Sequence, residues 1–295
     1  MKNIQVKNSI LRKPEWLKIK RESCDDYALV AQLVEENGLH TICSSGKCPN
    51  KNECWNRGTA TFMILGNICT RACKFCATAT GKPLPVDENE PQKVANSIKI
   101  MKLKHAVITS VDRDDLPDGG AEIWAKTVLN VREKSPTTTV ELLVPDFDGK
   151  TELLDIVIDS KPDILGHNIE CVRRVTPETR SRAKYDVSLG VIKYIAESGI
   201  VAKSGIMLGV GETDEEVIET LSDLKAVGCR IVTIGQYLQP SSKHLPVSRY
   251  VHPDKFEELK QIGLEMGFDY IESGPLVRSS YMADKAISSC KKRVL

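Results

Sequence analysis

Residues 61–76 of the chain, TFMILGNICTRACKFC, join a short apolar run to a loop that carries three cysteines. The run TFMIL is predicted to form a strand, because it is short, apolar and followed by polar residues. The arrangement continues to residue 274, with seven short apolar runs separated by six longer amphipathic stretches. Strands that alternate with helices in this way indicate parallel βα units within one α/β domain.

The predicted strands and helices follow directly from this alternation. The strands are TFMIL, HAVITS, TVELLVP, DILGHN, VAKSGIMLG, RIVTIGQY and FDYIESG. The helices are PQKVANSIKIMKL, GGAEIWAKTVLNVREK, KTELLDIVIDS, YDVSLGVIKYIAESG, TDEEVIETLSDLKAVG and HPDKFEELKQIGLEMG. Thr213 and His252 stand where two helices should begin. Gly199, Gly228 and Gly267 stand where three helices should end.

The number of units favours one of two α/β architectures. Seven strands and six helices are too few for a complete eight-fold barrel. We therefore expect a partial, open parallel β/α barrel of about six βα units, with a doubly wound sheet as the alternative. In both folds the loops after the strands hold the chemistry, and these loops contain nearly all the unusual residues of the chain.

Three segments follow from the same pattern. Residues 61–274 form the predicted barrel, residues 1–60 an N-terminal extension and residues 275–295 a C-terminal segment. The extension is charged and irregular apart from one predicted helix, DDYALVAQLVEENG at 25–38, whose apolar residues recur at helical spacing.

Composition narrows the functional classes. Of the 295 residues 41% are hydrophobic and 27% charged, and the formal net charge of +1 gives no reason to expect a nucleic-acid partner. No apolar run approaches the about 20 residues of a membrane span, and the N-terminus lacks the apolar core of a secretory signal. We expect a cytoplasmic protein, a monomer, in which ten cysteines serve metal binding or catalysis rather than disulfides.

Six cysteines fall into two triplets. Cys69, Cys73 and Cys76 form C-x-x-x-C-x-x-C after the first strand, with no histidine within ten residues to complete a zinc site. Iron–sulfur clusters also prefer four cysteines, so three would leave one iron open to another ligand. A structural zinc ion or an electron-transfer cluster is the alternative. The other triplet, C-x-x-x-x-C-x-x-x-x-x-C at residues 43, 48 and 54, matches no common zinc spacing and by itself could be three reduced thiols.

The second triplet carries a resemblance. CTRACKFC, with Phe75 before the last cysteine, resembles the signature of the radical S-adenosylmethionine superfamily. The longer run CPNKNECWNRGTATFMILGNICTRACKFCA closely resembles the lipoyl synthase family. So do KPEWLK, TSVDRDDLPDGGA, HNIE, MLGVGE, QYLQPS and RSSY, which together span nearly the whole chain.

The resemblance implies an activity and its cofactors. It implies two 4Fe-4S clusters, one that cleaves S-adenosylmethionine to a 5′-deoxyadenosyl radical and an auxiliary one that is dismantled as the sulfur donor. The reaction would insert two sulfur atoms at C6 and C8 of a protein-bound N6-octanoyl-lysine and consume two S-adenosylmethionine molecules. General acid–base or nucleophilic chemistry does not reach these unactivated carbons.

The resemblance also implies roles for individual residues. Cys69, Cys73 and Cys76 would hold the radical cluster, and Cys43, Cys48, Cys54 and Ser280 of RSSY the auxiliary one. The expected contacts to S-adenosylmethionine come from Phe75, Asn168, Glu170, Arg182, Gly209 and Gln236. A solvated tail around Ser280, a buried structural Asn/Glu pair and a surface Arg182 are the alternatives. The charged turn Asp112–Asp115 is either solvated or lines the cavity.

Partners follow from the same resemblance. They are octanoylated lipoyl-carrier domains of 2-oxoacid dehydrogenase complexes, the glycine cleavage carrier protein, a low-potential donor such as ferredoxin or flavodoxin, and cluster-assembly proteins. A biotin synthase or a tRNA methylthiotransferase is a different radical sulfur-transfer enzyme, but the first has no use for RSSY and the second needs a basic domain. An electron carrier would close its clusters with four ligands.

Overall fold

A computed structural model describes residues 12–18, 25–57 and 59–292. The strands are β1 (His40–Thr41), β2 (Thr61–Ile64), β3 (Ile68–Cys69), β4 (Ala79–Thr80), β5 (His105–Ser110), β6 (Thr139–Leu143), β7 (Ile164–Gly166), β8 (Val201–Leu208), β9 (Ile231–Gln236) and β10 (Tyr270–Gly274). The helices are α1 (Asp25–Glu36), α2 (Ile42–Ser45), α3 (Lys51–Asn56), α4 (Glu90–Ile100), α5 (Ala121–Lys134), α6 (Thr151–Asp159), α7 (Thr176–Thr179), α8 (Tyr185–Glu197), α9 (Asp214–Ala226), α10 (Pro253–Glu265) and α11 (Ala283–Lys292).

One sheet of eight strands forms the barrel, in the order β1-β2-β5-β6-β7-β8-β9-β10. Neighbouring strands are parallel except for β1, which pairs antiparallel with β2. From β2 onward the order follows the chain without a reversal, so the doubly wound alternative is wrong. Within the described residues no pairing joins β10 to β1 or β2, and the predicted open barrel is confirmed.

The seven predicted strands and six predicted helices are all present. They correspond to β2, β5, β6, β7, β8, β9 and β10 and to α4, α5, α6, α8, α9 and α10. Thr213 begins α9 with a capping box to Glu216. The glycines at 199, 228 and 267 adopt positive φ just after α8, α9 and α10. These local signals were sufficient to predict the elements because each was long enough to show its period.

The N-terminal extension is more ordered than the sequence predicts. Helix α1 is confirmed, but the prediction that the rest of the extension is irregular is wrong for residues 40–56, which form β1, α2 and α3. Helices of four and six residues are too short to show a 3.6-residue period. They are held by burial instead, since Val30 of α1, Cys43 of α2 and Trp55 of α3 form one apolar cluster.

The strands separate an apolar outer layer from a polar interior. In β5, Ala106 and Ile108 belong to the apolar core beneath the helices, while the alternate residues Val107 and Thr109 line the central cavity. Deeper in the barrel, Lys203 Nζ lies 2.5 Å from a carboxylate oxygen of Glu141, and both side chains are almost fully buried. Strand alternation thus directs polar groups inward, as a binding chamber requires.

The C-terminal segment passes along the barrel from one end of the strands to the other. Val277 lies at the carboxyl end of β9, against Gly235. Ala286 of α11 packs on Ile164 and Ile231, which begin β7 and β9 at the opposite end. Just before Val277, the Leu276 carbonyl oxygen accepts from Asn50 of the extension at 2.7 Å. The N-terminal extension and the beginning of the C-terminal segment are therefore in contact.

No helix in the described part of the chain is long and apolar enough to span a bilayer.

A substitution at Gly235 tests how closely the C-terminal segment packs on the barrel. A Cβ at Gly235 would lie 2.2 Å from Val277 O, a distance that forces the segment to move. We expect Gly235→Ala to cost about 1–3 kcal/mol, the range for overpacking, and to expose residues 275–292 to limited proteolysis. Gly190→Ala in α8 is the control, because a Cβ there meets nothing within 4 Å and should leave the unfolding midpoint unchanged or higher. Equal midpoints for the two variants would contradict the close approach.

Candidate active site in the barrel cavity

Both cysteine triplets line one cavity of about 1020 Å³ inside the barrel. The predicted site residues that border it are Cys43, Cys48, Cys54, Cys69, Cys73, Cys76, Phe75, Asn168, Glu170, Gln236 and Ser280. The structure thus brings together side chains from both ends of the chain and from the carboxyl ends of the strands.

The loop of the second triplet is attached to three other loops of the barrel. It lies between β3 and β4, two short parallel strands that pair through Ile68 and Ala79. The attachments are Thr70 N to Asp112 O (3.1 Å), Lys74 N to Thr179 O (2.8 Å) and His244 Nε2 to Cys76 O (3.0 Å). The cysteines are consequently fixed relative to the strand ends even though the loop has little regular structure of its own.

Arg71 is the strongest of these attachments. Its side chain is 5% exposed and lies between four carboxylates from the loops after β5 and β6. The nearest N–O distances are Asp112 (3.4 Å), Asp114 (2.8 Å), Asp146 (2.8 Å) and Asp148 (3.4 Å). Arg71 was not among the residues predicted from the sequence, although it lies inside the cysteine motif. Of the two alternatives for the turn at 112–115, the cavity-lining one holds for Asp112.

A second set of contacts fixes the chain where it enters the cysteine loop. Leu65 has a φ of 67°, which an L-residue adopts only when its surroundings hold it there. The buried Glu90 carboxylate accepts from Leu65 N at 2.6 Å, and the buried Arg113 guanidinium donates to Leu65 O at 3.2 Å. Sequence reasoning missed Glu90 because it lies at the start of α4, far from any motif.

The thiols of the second triplet are partly buried. The sulfur of Cys69 accepts hydrogen bonds from Arg71 N at 3.4 Å and Asp112 N at 3.3 Å. Burial, followed by the charge of Asp112, raises the pKa of Cys69 to about 12. Burial also raises the pKa of Cys76. These thiols are protonated at neutral pH until a metal displaces the proton.

The first triplet is built from the two short helices that the sequence did not predict. Cys43 lies in α2, Cys54 in α3 and Cys48 in the turn between them. Burial, followed by the charges of Cys43 and Cys48, raises the pKa of Cys54 to about 12, so the three thiols lie within electrostatic reach of one another. Burial likewise raises the pKa of Cys48.

The two donor sets fit iron–sulfur clusters. All eight cysteines that the structure describes with side chains are free of disulfides. In the same described residues, no three Cys, His, Asp or Glu side chains converge as the shell of a single metal ion. Each triplet lines the cavity with three thiols, and thiolates are the ligands that iron–sulfur clusters prefer.

The RSSY segment lies against the barrel wall. Thr61 Oγ1 donates to Ser280 Oγ at 2.7 Å, and Asn168 Nδ2 donates to Ser279 Oγ at 2.6 Å. Tyr281 Oη donates to Glu53 of α3 at 3.0 Å. The alternative of a solvated tail is therefore wrong for these residues, and Ser280 borders the same cavity as the first triplet.

Asn168 and Glu170 meet although the predicted strand DILGHN is shorter in the structure. Strand β7 ends at Gly166, and Glu170 has a φ of 66°. Asn168 Nδ2 nevertheless donates to a Glu170 carboxylate oxygen at 3.1 Å. Burial raises the pKa of Glu170, and the charge of Arg180 partly opposes this.

The structure places Arg180, and not Arg182, in the cavity. The Arg182 guanidinium is 53% exposed and bonds Asp148 at 2.6 Å beside a separate cavity of about 110 Å³. Arg180 borders the main cavity and donates to Ser188 Oγ at 2.8 Å. Its buried Nε finds no hydrogen-bond partner in the described part of the chain. The sequence could not show which of these two arginines enters the cavity, because they lie only two positions apart in an irregular loop.

Sequence comparison identifies the family. The chain is 58% identical over 277 residues to a protein named lipoyl synthase from Parabacteroides distasonis, covering 94% of this chain and 99% of that protein. It is 59% identical to the lipoyl synthase of Bacteroides thetaiotaomicron (94% and 98%) and 56% identical to that of Treponema denticola (94% and 96%). Residues 63–224 match the model of the radical SAM superfamily. The chain belongs to the lipoyl synthase family.

Solved structures share the fold of this lipoyl synthase family member. They include HydG, a maturase of the FeFe-hydrogenase (TM-score 0.57, 12% identity, covering 89% of this chain and 67% of that one). Methylornithine synthase also matches (TM-score 0.50, 12% identity, 85% and 78%). At such identities the likeness concerns the fold alone, and it agrees with the open barrel.

Gly209 and Gln236 support the wall of the lipoyl synthase cavity. Gly209 has a φ of 94°, and a Cβ there would lie 2.2 Å from Gln236 Nε2. The Gln236 amide group donates to Leu208 O and Arg249 O, both at 3.0 Å. Its oxygen accepts from Val251 N at 2.8 Å. The Gln236 side chain is thus engaged within the protein, and its contact with a ligand, like that of Gly209, stays a prediction.

Arg71→Gln tests the anchor of the cysteine loop. Removing the charge leaves buried carboxylates without a counter-ion, and breaking a buried pair in this way costs about 3–5 kcal/mol. Burial pushes the pKa of Asp114 up, but Arg71 outweighs it and holds the pKa below its ordinary value. A carboxylate with a depressed pKa stabilises the fold at pH values above its unfolded-state pKa of about 3.9. This stabilisation is lost as the pH falls through the pKa of the folded state.

The free energy of unfolding should therefore differ most between Arg71→Gln and wild type near pH 7, and the difference should shrink below about pH 4. Urea titrations across this range measure it. Arg182→Gln is the control, because its exposed guanidinium contacts Asp148 and Asp114 from the solvent side and should cost at most about 1 kcal/mol. A pH-independent loss for Arg71→Gln would contradict the electrostatic account.

Proposed function

We propose that this chain inserts sulfur at C6 and C8 of a protein-bound N6-octanoyl-lysine and so forms lipoyl-lysine. The observation that carries the proposal is that both cysteine triplets line one cavity in a chain 56–59% identical to lipoyl synthases. When bound, one 4Fe-4S cluster with S-adenosylmethionine supplies a carbon-centred radical, and the auxiliary cluster supplies sulfur. The protein's own groups bind, orient and enclose the reacting groups.

The two proposed ligand sets lie on different parts of the cavity lining. Cys69, Cys73 and Cys76 hold the radical cluster on the loop after β2. Cys43, Cys48, Cys54 and Ser280 hold the auxiliary cluster between the extension and the C-terminal segment. The donor types support this assignment, because thiolates suit iron–sulfur centres and a serine oxygen is a harder, weaker partner for them. The same division supports three functional segments, 1–60, 61–274 and 275–295.

Arg180 is the group we assign to the carboxylate of S-adenosylmethionine, in place of Arg182. Its unpaired, buried Nε supports this, since a buried donor without a partner is costly unless a ligand satisfies it. Asn168 and Glu170, which already share a hydrogen bond, border the cavity beside it and can accept from hydroxyl or ammonium groups. Phe75 supplies an apolar face next to Cys76.

The substrate is a lysine side chain on a folded protein. We propose lipoyl-carrier domains as partners, those of 2-oxoacid dehydrogenase complexes and of the glycine cleavage system among them. A low-potential donor such as ferredoxin or flavodoxin would supply electrons, and cluster-assembly proteins would restore the spent cluster. The proposed compartment is the cytoplasm, where thiols stay reduced and able to bind iron.

The activity is tested by incubating the reconstituted, reduced chain with S-adenosylmethionine and an octanoylated carrier peptide. We expect the peptide mass to change by two added sulfurs and two lost hydrogens. Cys69→Ala should abolish S-adenosylmethionine cleavage, whereas Cys48→Ala should retain cleavage and lose sulfur insertion. Cys229→Ala is the control, because Cys229 is buried in the apolar core and should permit both reactions. Full turnover by Cys48→Ala would refute the role of the first triplet.

The two arginines give a second test. Arg180→Gln should raise the dissociation constant of S-adenosylmethionine about tenfold or more, because a charge-assisted bond to a carboxylate is lost. Arg182→Gln should bind as wild type does, since Arg182 is engaged with Asp148 at the surface. Equilibrium dialysis against the cluster-loaded protein measures both constants. The opposite ranking would restore Arg182 to the role that the sequence predicted.

A further inference from the structure

Two hydroxyl groups meet in the cavity although 219 residues separate them along the chain. Thr61 Oγ1 lies 2.7 Å from Ser280 Oγ and donates to it. Thr61 is 7% exposed and borders the cavity together with Ser280 and the first cysteine triplet. Thr61 lies within the run that resembles the lipoyl synthases, but the sequence indicates no individual role for it.

The two partners differ in how firmly they are held. Thr61 begins β2, where it pairs with Val107 of β5 in the parallel sheet. Ser280 lies between β10 and α11, outside any helix or strand. The hydrogen bond thus joins a hydroxyl on a strand of the sheet to a hydroxyl on an irregular segment.

The neighbouring serine has a different partner. Ser279 Oγ accepts from Asn168 Nδ2 at 2.6 Å, on the β7 side of the cavity. The two serines of RSSY are therefore held by separate donors. Ser280 is therefore the serine whose oxygen is held at β2. Residues 55–60 join Cys54 of the first triplet to β2.

The hydrogen bond leaves the Ser280 oxygen able to take a further partner. A hydroxyl oxygen has two acceptor sites, and the bond from Thr61 occupies one of them. The other site remains available while Thr61 holds the oxygen in place.

We propose that Thr61 is a positioning residue for the auxiliary cluster, because its hydrogen bond holds the Ser280 oxygen at the side of the cavity that the first triplet lines. The inference rests on the proposed function, since it takes Ser280 as the fourth ligand. Thr61 acts through Ser280.

Iron release tests the inference without turnover. The full chain carrying Cys69→Ala, Cys73→Ala and Cys76→Ala retains the auxiliary site, and a coloured chelator reports the loss of its iron. Thr61→Val keeps the shape but removes the donor, and we expect iron release about tenfold faster, the upper end of the effect of losing one hydrogen bond. Thr61→Ser keeps the donor and should release iron at the unchanged rate.

A double-mutant cycle separates this role from a general effect on folding. Ser280→Ala should speed release by itself, and adding Thr61→Val to it should have no further effect, because the acceptor is gone. An equal acceleration by Thr61→Val with and without Ser280 would overturn the proposal, as would release at the wild-type rate from Thr61→Val. A triplet that binds no iron at all would instead refute the proposed function.

Discussion

The guanidinium of Arg71 lies between carboxylates from two loops that follow neighbouring strands, Asp112 and Asp114 after β5 and Asp146 and Asp148 after β6. Charges that leave water are stable only when their partners are present, so the set forms complete or not at all. Because Arg71 belongs to the loop of Cys69, Cys73 and Cys76, that loop has one position relative to the strand ends. The position of the second triplet in the cavity depends on this placement.

The open side of the barrel sets the second constraint. A parallel sheet that stops short of closure leaves an edge, and proteins cover or pair such edges. Here the C-terminal segment and helices α2 and α3 lie at this side, joined by Asn50 to Leu276 and Tyr281 to Glu53. The same packing of the C-terminal segment therefore covers the barrel and brings Ser280 to the first triplet.

The shared cavity explains how the proposed chemistry can work. A carbon radical reacts with whatever lies nearest, so its source, the acyl chain and the sulfur donor must occupy one enclosed space. Both triplets border that space, with Phe75 and Glu170 near one and Ser280 near the other. Deeper in the barrel, the pair formed by Lys203 and Glu141 gives the interior a polar region that an acyl chain would avoid.

The sequence by itself determined the βα order, the open barrel and the two triplets, because long helices, buried strands and cysteine motifs carry their information in local spacing. Only the tertiary structure decided that α2 and α3 exist, that Arg180 enters the cavity while Arg182 does not, and that Thr61 meets Ser280. Short helices show no period, and contacts across 219 residues depend on the order of the strands and the path of the last segment. The spacing of residues in the sequence contains neither the strand order nor this path, since burial and pairing arise only when the sheet has formed.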